Sequence, residues 1–154
     1  MDKNTKKTNS KGSDENILSR PTLFSLSSLN KKPVEVSFTG EKISSDGGLL
    51  LLKEIENNIG IVKAIAGCIN DERHQSYVQH SIHSMISQRV FQIAAGYEDT
   101  NDCDTLKDDA ILKICSGQLP ETSRMLASQP TMCRLENYPS RKELYNIGES
   151  IFDN

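Results

Sequence analysis

Carboxylates crowd into one short stretch of this chain. Glu98, Asp99, Asp102, Asp104, Asp108 and Asp109 lie between positions 98 and 109, interleaved with Thr100, Asn101 and Thr105. Clustered carboxylates can hold Mg²⁺ for phosphoryl chemistry, where the ion offsets developing negative charge. The spacing fails the calcium-loop template, which wants Gly at its sixth position. A loop begun at Asp102 has Lys107 there. The same residue types also build caps and turns, because their side chains bond nearby backbone groups. We read the stretch as structural capping and assign it no metal ligand and no catalytic residue.

Two other groups of residues invite a chemical reading. His80 and His83, three apart, are expected on one face of a helix, with His74 upstream. No Cys or carboxylate lies at a partnering spacing beside them on that helix, so they read as a solvated or core-edge pair. Farther along, Arg124, Arg134, Arg141 and Lys142 stand against Glu136, a local balance of +3. Two helices joined at the tight Asn137-Tyr138-Pro139-Ser140 junction could present these cations to phosphates, as helix-turn-helix arrangements do. These four are the DNA-binding candidates. The competing reading is an ordinary helical hairpin with a solvated basic face.

Other common chemistries are missing. The sequence has no GxSxG, P-loop, GxGxxG or HExxH motif, which removes the usual hydrolase, nucleotide-binding and zinc-protease signals. Cys68, Cys103, Cys115 and Cys133 form no CxxC pair, so a zinc ribbon or thioredoxin-like motif is not indicated. Helical apolar context suits Cys68, Cys115 and Cys133 as small buried hydrophobes. All four read as reduced, structural thiols of a cytoplasmic protein.

Composition fits a folded body with a basic arm. A chain of 154 residues is long enough to bury a core. With 5% aromatic residues and no Trp, that core is mainly aliphatic. The longest aliphatic run, Leu49 to Leu52, is far short of a membrane span. The polar, lysine-rich start is no secretory signal. Residues 1–33 carry seven basic against three acidic residues, a balance of +4. The rest carries 11 basic and 18 acidic, a balance of −7. Residues 1–33 are expected to be a disordered basic arm and tether: 1–20 are too poor in apolar side chains to offset the entropy of ordering, and 21–33, bounded by Pro21 and Pro33, form the tether.

From residue 34 to 154 a mainly α domain is expected. Val34-Glu35-Val36-Ser37-Phe38 alternates like a strand, and a turn at Thr39–Lys42 leads to a short partner near Ile43. Asp46 is expected to cap a helix whose stripe is Leu49, Leu52, Ile55 and Ile59, ended by Gly60. A short helix follows over Val62–Ile69. A long one over Tyr77–Ala95 points Val78, Ile82, Met85, Ile86, Val90, Ile93 and Ala94 inward, and Gly96 stops it. A short helix at Ala110–Cys115 ends by Gly117. Ser128 and Pro130 open another, with Met132, Leu135 and Cys133 facing inward. Ser140 and Glu143 form a capping box for a last helix striped by Leu144, Ile147 and Ile151.

Four blocks in series carry a family resemblance. They are Ser44-Ser45-Asp46-Gly47-Gly48-Leu49-Leu50-Leu51-Leu52-Lys53-Glu54, the run from Arg89 to Asp102 containing Gly96-Tyr97-Glu98-Asp99, then Leu106-Lys107-Asp108-Asp109, and the run from Ala127 to Asn137 containing Ser128-Gln129-Pro130-Thr131. Together, over residues 34–153, they resemble the N-terminal part of bacterial insertion-sequence transposases with a group-1 DDE domain.

The resemblance implies a DNA cut-and-paste enzyme with an RNase H-like sheet, in which Asp, Asp and Glu hold two metal ions. Mg²⁺ is thus expected for the full-length family and no cofactor for this chain. No hydrophobic strand ending in Asp follows residue 137. The chain is therefore expected to stop before the catalytic core, to bind DNA such as insertion-sequence ends or mediate assembly, and not to catalyse alone. No catalytic residue carries over. The alternative is a stand-alone helical interaction module or regulator. Its partner would be a second copy or a full-length transposase, and no membrane is implied.

Overall fold

Helical periodicity after Asp46 governs the structure. A computed structural model describes residues 26–34 and 46–152. Among them are seven α-helices: α1 (Leu49–Ile59), α2 (Ile61–Gly67), α3 (Ile82–Ala94), α4 (Asp102–Leu106), α5 (Ala110–Cys115), α6 (Gln129–Glu136) and α7 (Arg141–Phe152). The mainly α reading holds. The expected arm at 1–20, and the strand at 34–38 beyond Val34 with its partner near Ile43, lie outside the described residues. The described part of 26–34 holds an isolated antiparallel bridge between Leu29 and Lys32. There Ser27 donates its N–H and hydroxyl to the Glu54 carboxylate of α1, at 2.5 and 2.7 Å.

Helix α3 is the hub, packing against α2, α5 and α6, while α7 lies on α2, α1 on α5 and α4 on α6. It feeds two apolar clusters. Ile82 and Met85 join Ile69, Cys103, Ala127, Met132 and Leu135 in one. Phe91 joins Leu49, Leu112, Cys115 and Leu126 in the other. Between them runs a polar seam of Ser87, Gln88 and Gln92, all buried. The Ser87 hydroxyl donates to the Cys115 carbonyl at 3.1 Å. Gln88 does more. Its carboxamide donates to the Ala127 carbonyl and accepts from the Ala127 N–H, both at 2.9 Å.

Several expectations change. The α3 helix begins at Ile82, not Tyr77, because the Ser81 hydroxyl accepts the Ser84 N–H at 3.1 Å and caps it there. Residues Gln75–Tyr77 form a 3-10 turn instead, and Val78 is extended. Ile93 and Ala94 face outward while Ser87, Gln88 and Gln92 are buried, where Ser87 and Gln88 bond the Cys115 and Ala127 backbone and the Gln92 amide oxygen accepts the Cys103 thiol. On α1 only Leu49 and Leu50 are buried, and Leu52, Ile55 and Ile59 are exposed; among the described helices α1 packs mainly on α5. Asp46 does not serve α1 through its side chain as expected. The opening turn uses backbone bonds, with Leu49 N–H on the Asp46 carbonyl at 2.9 Å. The Asp46 carboxylate accepts the Tyr97 hydroxyl at 3.1 Å.

Other local signals are realised as read. Gly60, Gly96 and Gly117 adopt φ of 80°, 92° and 79° at the ends of α1, α3 and α5, a conformation that costs glycine little. Met132 and Leu135 are buried, but Cys133 is only partly so. Cys103, outside the helical apolar pattern, is fully buried in the first cluster, and Cys68 is half-buried. Burial pushes the Cys115 thiol up to about 12. The capping box forms: Ser140 donates its N–H and hydroxyl to Glu143 at 2.7 and 2.6 Å, and Asn70 adds an N–H at 2.7 Å. Of the α7 stripe, Ile147 packs against the core and Leu144 and Ile151 stay exposed.

Two outcomes follow from these bonds. Gln88→Leu strands the two buried backbone groups of Ala127, each worth roughly 1–3 kcal/mol when unpaired. The expected loss is about 2–4 kcal/mol, a fall in thermal midpoint of roughly 5–15 °C; an unchanged midpoint would show that the seam does not hold the 124–128 segment. Glu143 is held at about 2 against an ordinary 4.5, first by the Ser140 hydroxyl and then by the Asn70 and Ser140 N–H groups. Its charged form favours the folded state, so its contribution is complete above the ordinary value and lost as pH falls toward the depressed one. The midpoint difference between the natural chain and Glu143→Gln should therefore shrink between pH 4.5 and 2. A difference independent of pH in that window would remove Glu143 from the stability of α7.

Candidate nucleic-acid interface

One strap of chain sets the geometry of a basic groove. Residues 70–80 run from α2 to α3 and are pinned at their start by the α6–α7 region. Glu143 takes the Asn70 N–H at 2.7 Å, and the Tyr138 hydroxyl takes the Glu72 N–H at 3.0 Å. Within the strap Arg73 forks onto Asp71, at 2.6 and 2.7 Å. The strap ends at the Ser81 cap. Facing it is α6, whose approach is fixed by the Gln88 bonds to Ala127 and by Leu126 N–H on the Lys107 carbonyl at 2.8 Å.

Between strap and α6 lie three adjoining hollows that share Thr131. The largest, about 620 Å³, is lined by His80, Lys107, Arg124 and Ser128 among others. The next holds Arg73, His74, Tyr77, Gln79 and His80. The third holds Arg73, Arg134 and Tyr138. No carboxylate lines any of the three, on a chain whose net charge is −3. Arg73, Lys107, Arg124 and Arg134 thus border one groove, Arg73 with its Asp71 partner, and two histidines lie between them. Burial, then the charges of Arg124 and Arg73, hold His80 below its ordinary value. This is what an imidazole does among cations.

The sequence candidates divide. Arg124 and Arg134 line the groove. Arg141 and Lys142 open α7 and line none of the three hollows. All four side chains are exposed. None takes part in the ion pairs among the described residues, which are Asp71–Arg73, Arg89–Glu136 and Asp108–Lys113. Glu136, counted against the cations in the sequence, is turned to Arg89 at 2.6 Å instead. Sequence reasoning missed Arg73, His74, Tyr77 and Lys107. The alternation of basic and aromatic residues from Arg73 to His80 was the available signal. His80 and His83 do not share a helix face: His80 precedes the cap, and only His83 is in α3.

The acidic stretch is structural in several of its parts. Asp99 accepts the Asn101 N–H at 2.9 Å, and Asp109 caps α5 through the Leu112 N–H at 2.8 Å. Asp108 pairs with the buried Lys113 ammonium. Asp102 and Asp104 lie in the first turn of α4. Among the described residues no group of three or more His, Cys, Asp or Glu is placed to hold a metal ion. Asp99, Asp108 and Asp109, engaged in these bonds, do not fit the two-metal centre that the resemblance implies for the full-length family. Among the described residues no helix is long and apolar enough to cross a membrane.

Comparison with known proteins gives one match. The family model described as transposase DDE domain group 1 matches residues 26–154. No curated protein and no solved structure matches. The matched region spans α1 to α7 and both walls of the basic groove, so the chain belongs to the group-1 DDE transposase family.

Proposed function

We propose that this chain serves DNA transposition by binding DNA, with the groove between residues 70–80 and α6 taking the phosphate backbone. The observation that carries the reading is the groove lined by Lys107, Arg124 and Arg134, with the Asp71-paired Arg73 beside them and no carboxylate in the lining itself. Phosphates release their counterions to such cations, which favours association even by a protein of net negative charge. The DNA expected is an insertion-sequence end, in the cytoplasm. Arg141 and Lys142 would extend the contact onto α7. Mg²⁺ belongs to the catalytic sheet of the full-length family, not to the acidic stretch described here.

A second reading has its own support. Leu51, Leu52, Ile55 and Ile59 on α1, and Leu144, Ile151 and Phe152 on α7, are exposed large apolar side chains. They favour a protein-interaction role, with a second copy or a full-length transposase as partner. The two readings are compatible, because these residues line none of the hollows of the groove.

Salt dependence separates them. Each lost phosphate contact lowers the slope of log affinity against log salt by about one unit. Arg124→Ala with Arg134→Ala should weaken duplex binding and lower the slope by about two. Arg141→Ala with Lys142→Ala reports whether the contact reaches α7. Unchanged affinity and slope in both double variants, with the thermal midpoint intact, would leave protein interaction as the function. We also expect the chain alone not to nick supercoiled DNA in Mg²⁺ or Mn²⁺. Nicking that is lost in Asp99→Ala or Asp102→Ala would restore the acidic stretch as a catalytic site.

A further inference from the structure

Tyr77 is out of place on an ordinary protein surface. Its side chain is 84% exposed. A ring so exposed has at least one face open to solvent. It sits on the 3-10 turn Gln75–Tyr77, inside the strap, where backbone bonds from Tyr77 N–H to the His74 carbonyl at 2.9 Å and from Val78 N–H to the Gln75 carbonyl at 3.2 Å fix the local geometry. The His74 ring lies beside it, centroids 5.3 Å apart and tilted by 46°. Both rings line the middle hollow of the groove, together with Arg73, His80 and the exposed Gln79 carboxamide.

An aromatic face between cations has a defined use. Base stacking on aromatic side chains gives affinity for unpaired nucleotides, while flanking cations track the backbone on either side. A paired base in a duplex is covered by its neighbours and offers no such face. The Gln79 amide can both donate and accept, as the edge of an unpaired base requires. We infer that Tyr77 is a stacking platform for an unpaired base, so that the groove takes DNA with an unstacked or single-stranded segment in preference to uninterrupted duplex. This inference rests on the groove being the DNA-binding site.

The experiment uses the full chain and labelled oligonucleotides of one length, single-stranded oligo-dT and a mixed-sequence duplex, at one salt concentration. Tyr77→Ala should lower affinity for the single strand roughly 5- to 100-fold, with duplex affinity within about twofold of the natural chain. Tyr77→Phe keeps the ring and should restore single-strand binding. Because Tyr77 buries little, its removal should leave the fold intact, which circular dichroism checks. Arg124→Ala reports on the groove itself and should weaken both probes. If Arg124→Ala weakens binding and Tyr77→Ala does not, stacking is wrong and the groove reading stands. Equal loss for both probes in Tyr77→Ala would also end the stacking proposal. If neither variant alters binding, the groove reading fails and the platform with it.

Discussion

The side-chain amide of Gln88 occupies the place of a missing β-partner. The segment before α6 runs irregularly past α3, and its backbone at Ala127 is fully buried. Buried N–H and C=O groups need partners, and an irregular segment supplies none of its own. Gln88 gives both, donor to the carbonyl and acceptor from the N–H, each at 2.9 Å. With Leu126 tied to Lys107 on one side and Ser128 opening α6 on the other, this exchange fixes where α6 begins. The placement of Arg124 and Arg134 opposite the strap depends on it. A glutamine in an apolar stripe is costly without partners; here it is the residue that locks the α6 wall of the groove to α3.

A second constraint shapes the charge. The body is acidic, yet its carboxylates are drawn into local structure. Glu143 gathers Ser140 and Asn70, Asp71 holds Arg73, Glu136 takes Arg89, and Asp99 and Asp109 cap turns and helices. Arg89 also donates to the Glu98 carbonyl at 2.7 Å, so one guanidinium ties α3 to α6 and to the Gly96 turn. Glu143 and Asp109 place negative charge at the starts of α7 and α5, where unpaired N–H groups and helix dipoles favour it. The groove is left to the cations. An overall charge of −3 says little about a surface segregated in this way.

How much of this could be read from residues alone varies with the range of the interaction. Helix ends governed by neighbours in sequence were legible: the Ser140–Glu143 box, the glycines after α1, α3 and α5, and Ser128 with Pro130 before α6. The Ser81 start of α3 was also local, but Tyr77 and Val78 continue the apolar pattern and concealed it. The α1 stripe was misread because periodicity shows that a helix has an apolar face and not that something covers it. The buried Ser87, Gln88 and Gln92 were invisible for the converse reason, since their partners lie far along the chain.

Sequence by itself determined the helical class, the family and two of the four cations that border the groove. Those are properties of local spacing and of motif blocks in series. Only the tertiary structure decided that Arg73, Lys107, Arg124 and Arg134 meet around Thr131, and that Arg141 and Lys142 line none of that groove. It also decided which carboxylates of the acidic stretch do what, Asp99 and Asp109 accepting backbone N–H groups and Asp108 pairing with Lys113. The reason is physical. A groove is the space left between a strap and a helix held by bonds across long separations, such as Asn70 to Glu143 and Gln88 to Ala127. The Gln88 bonds are required because burial makes an unpaired polar group expensive, and burial is a property of the folded body.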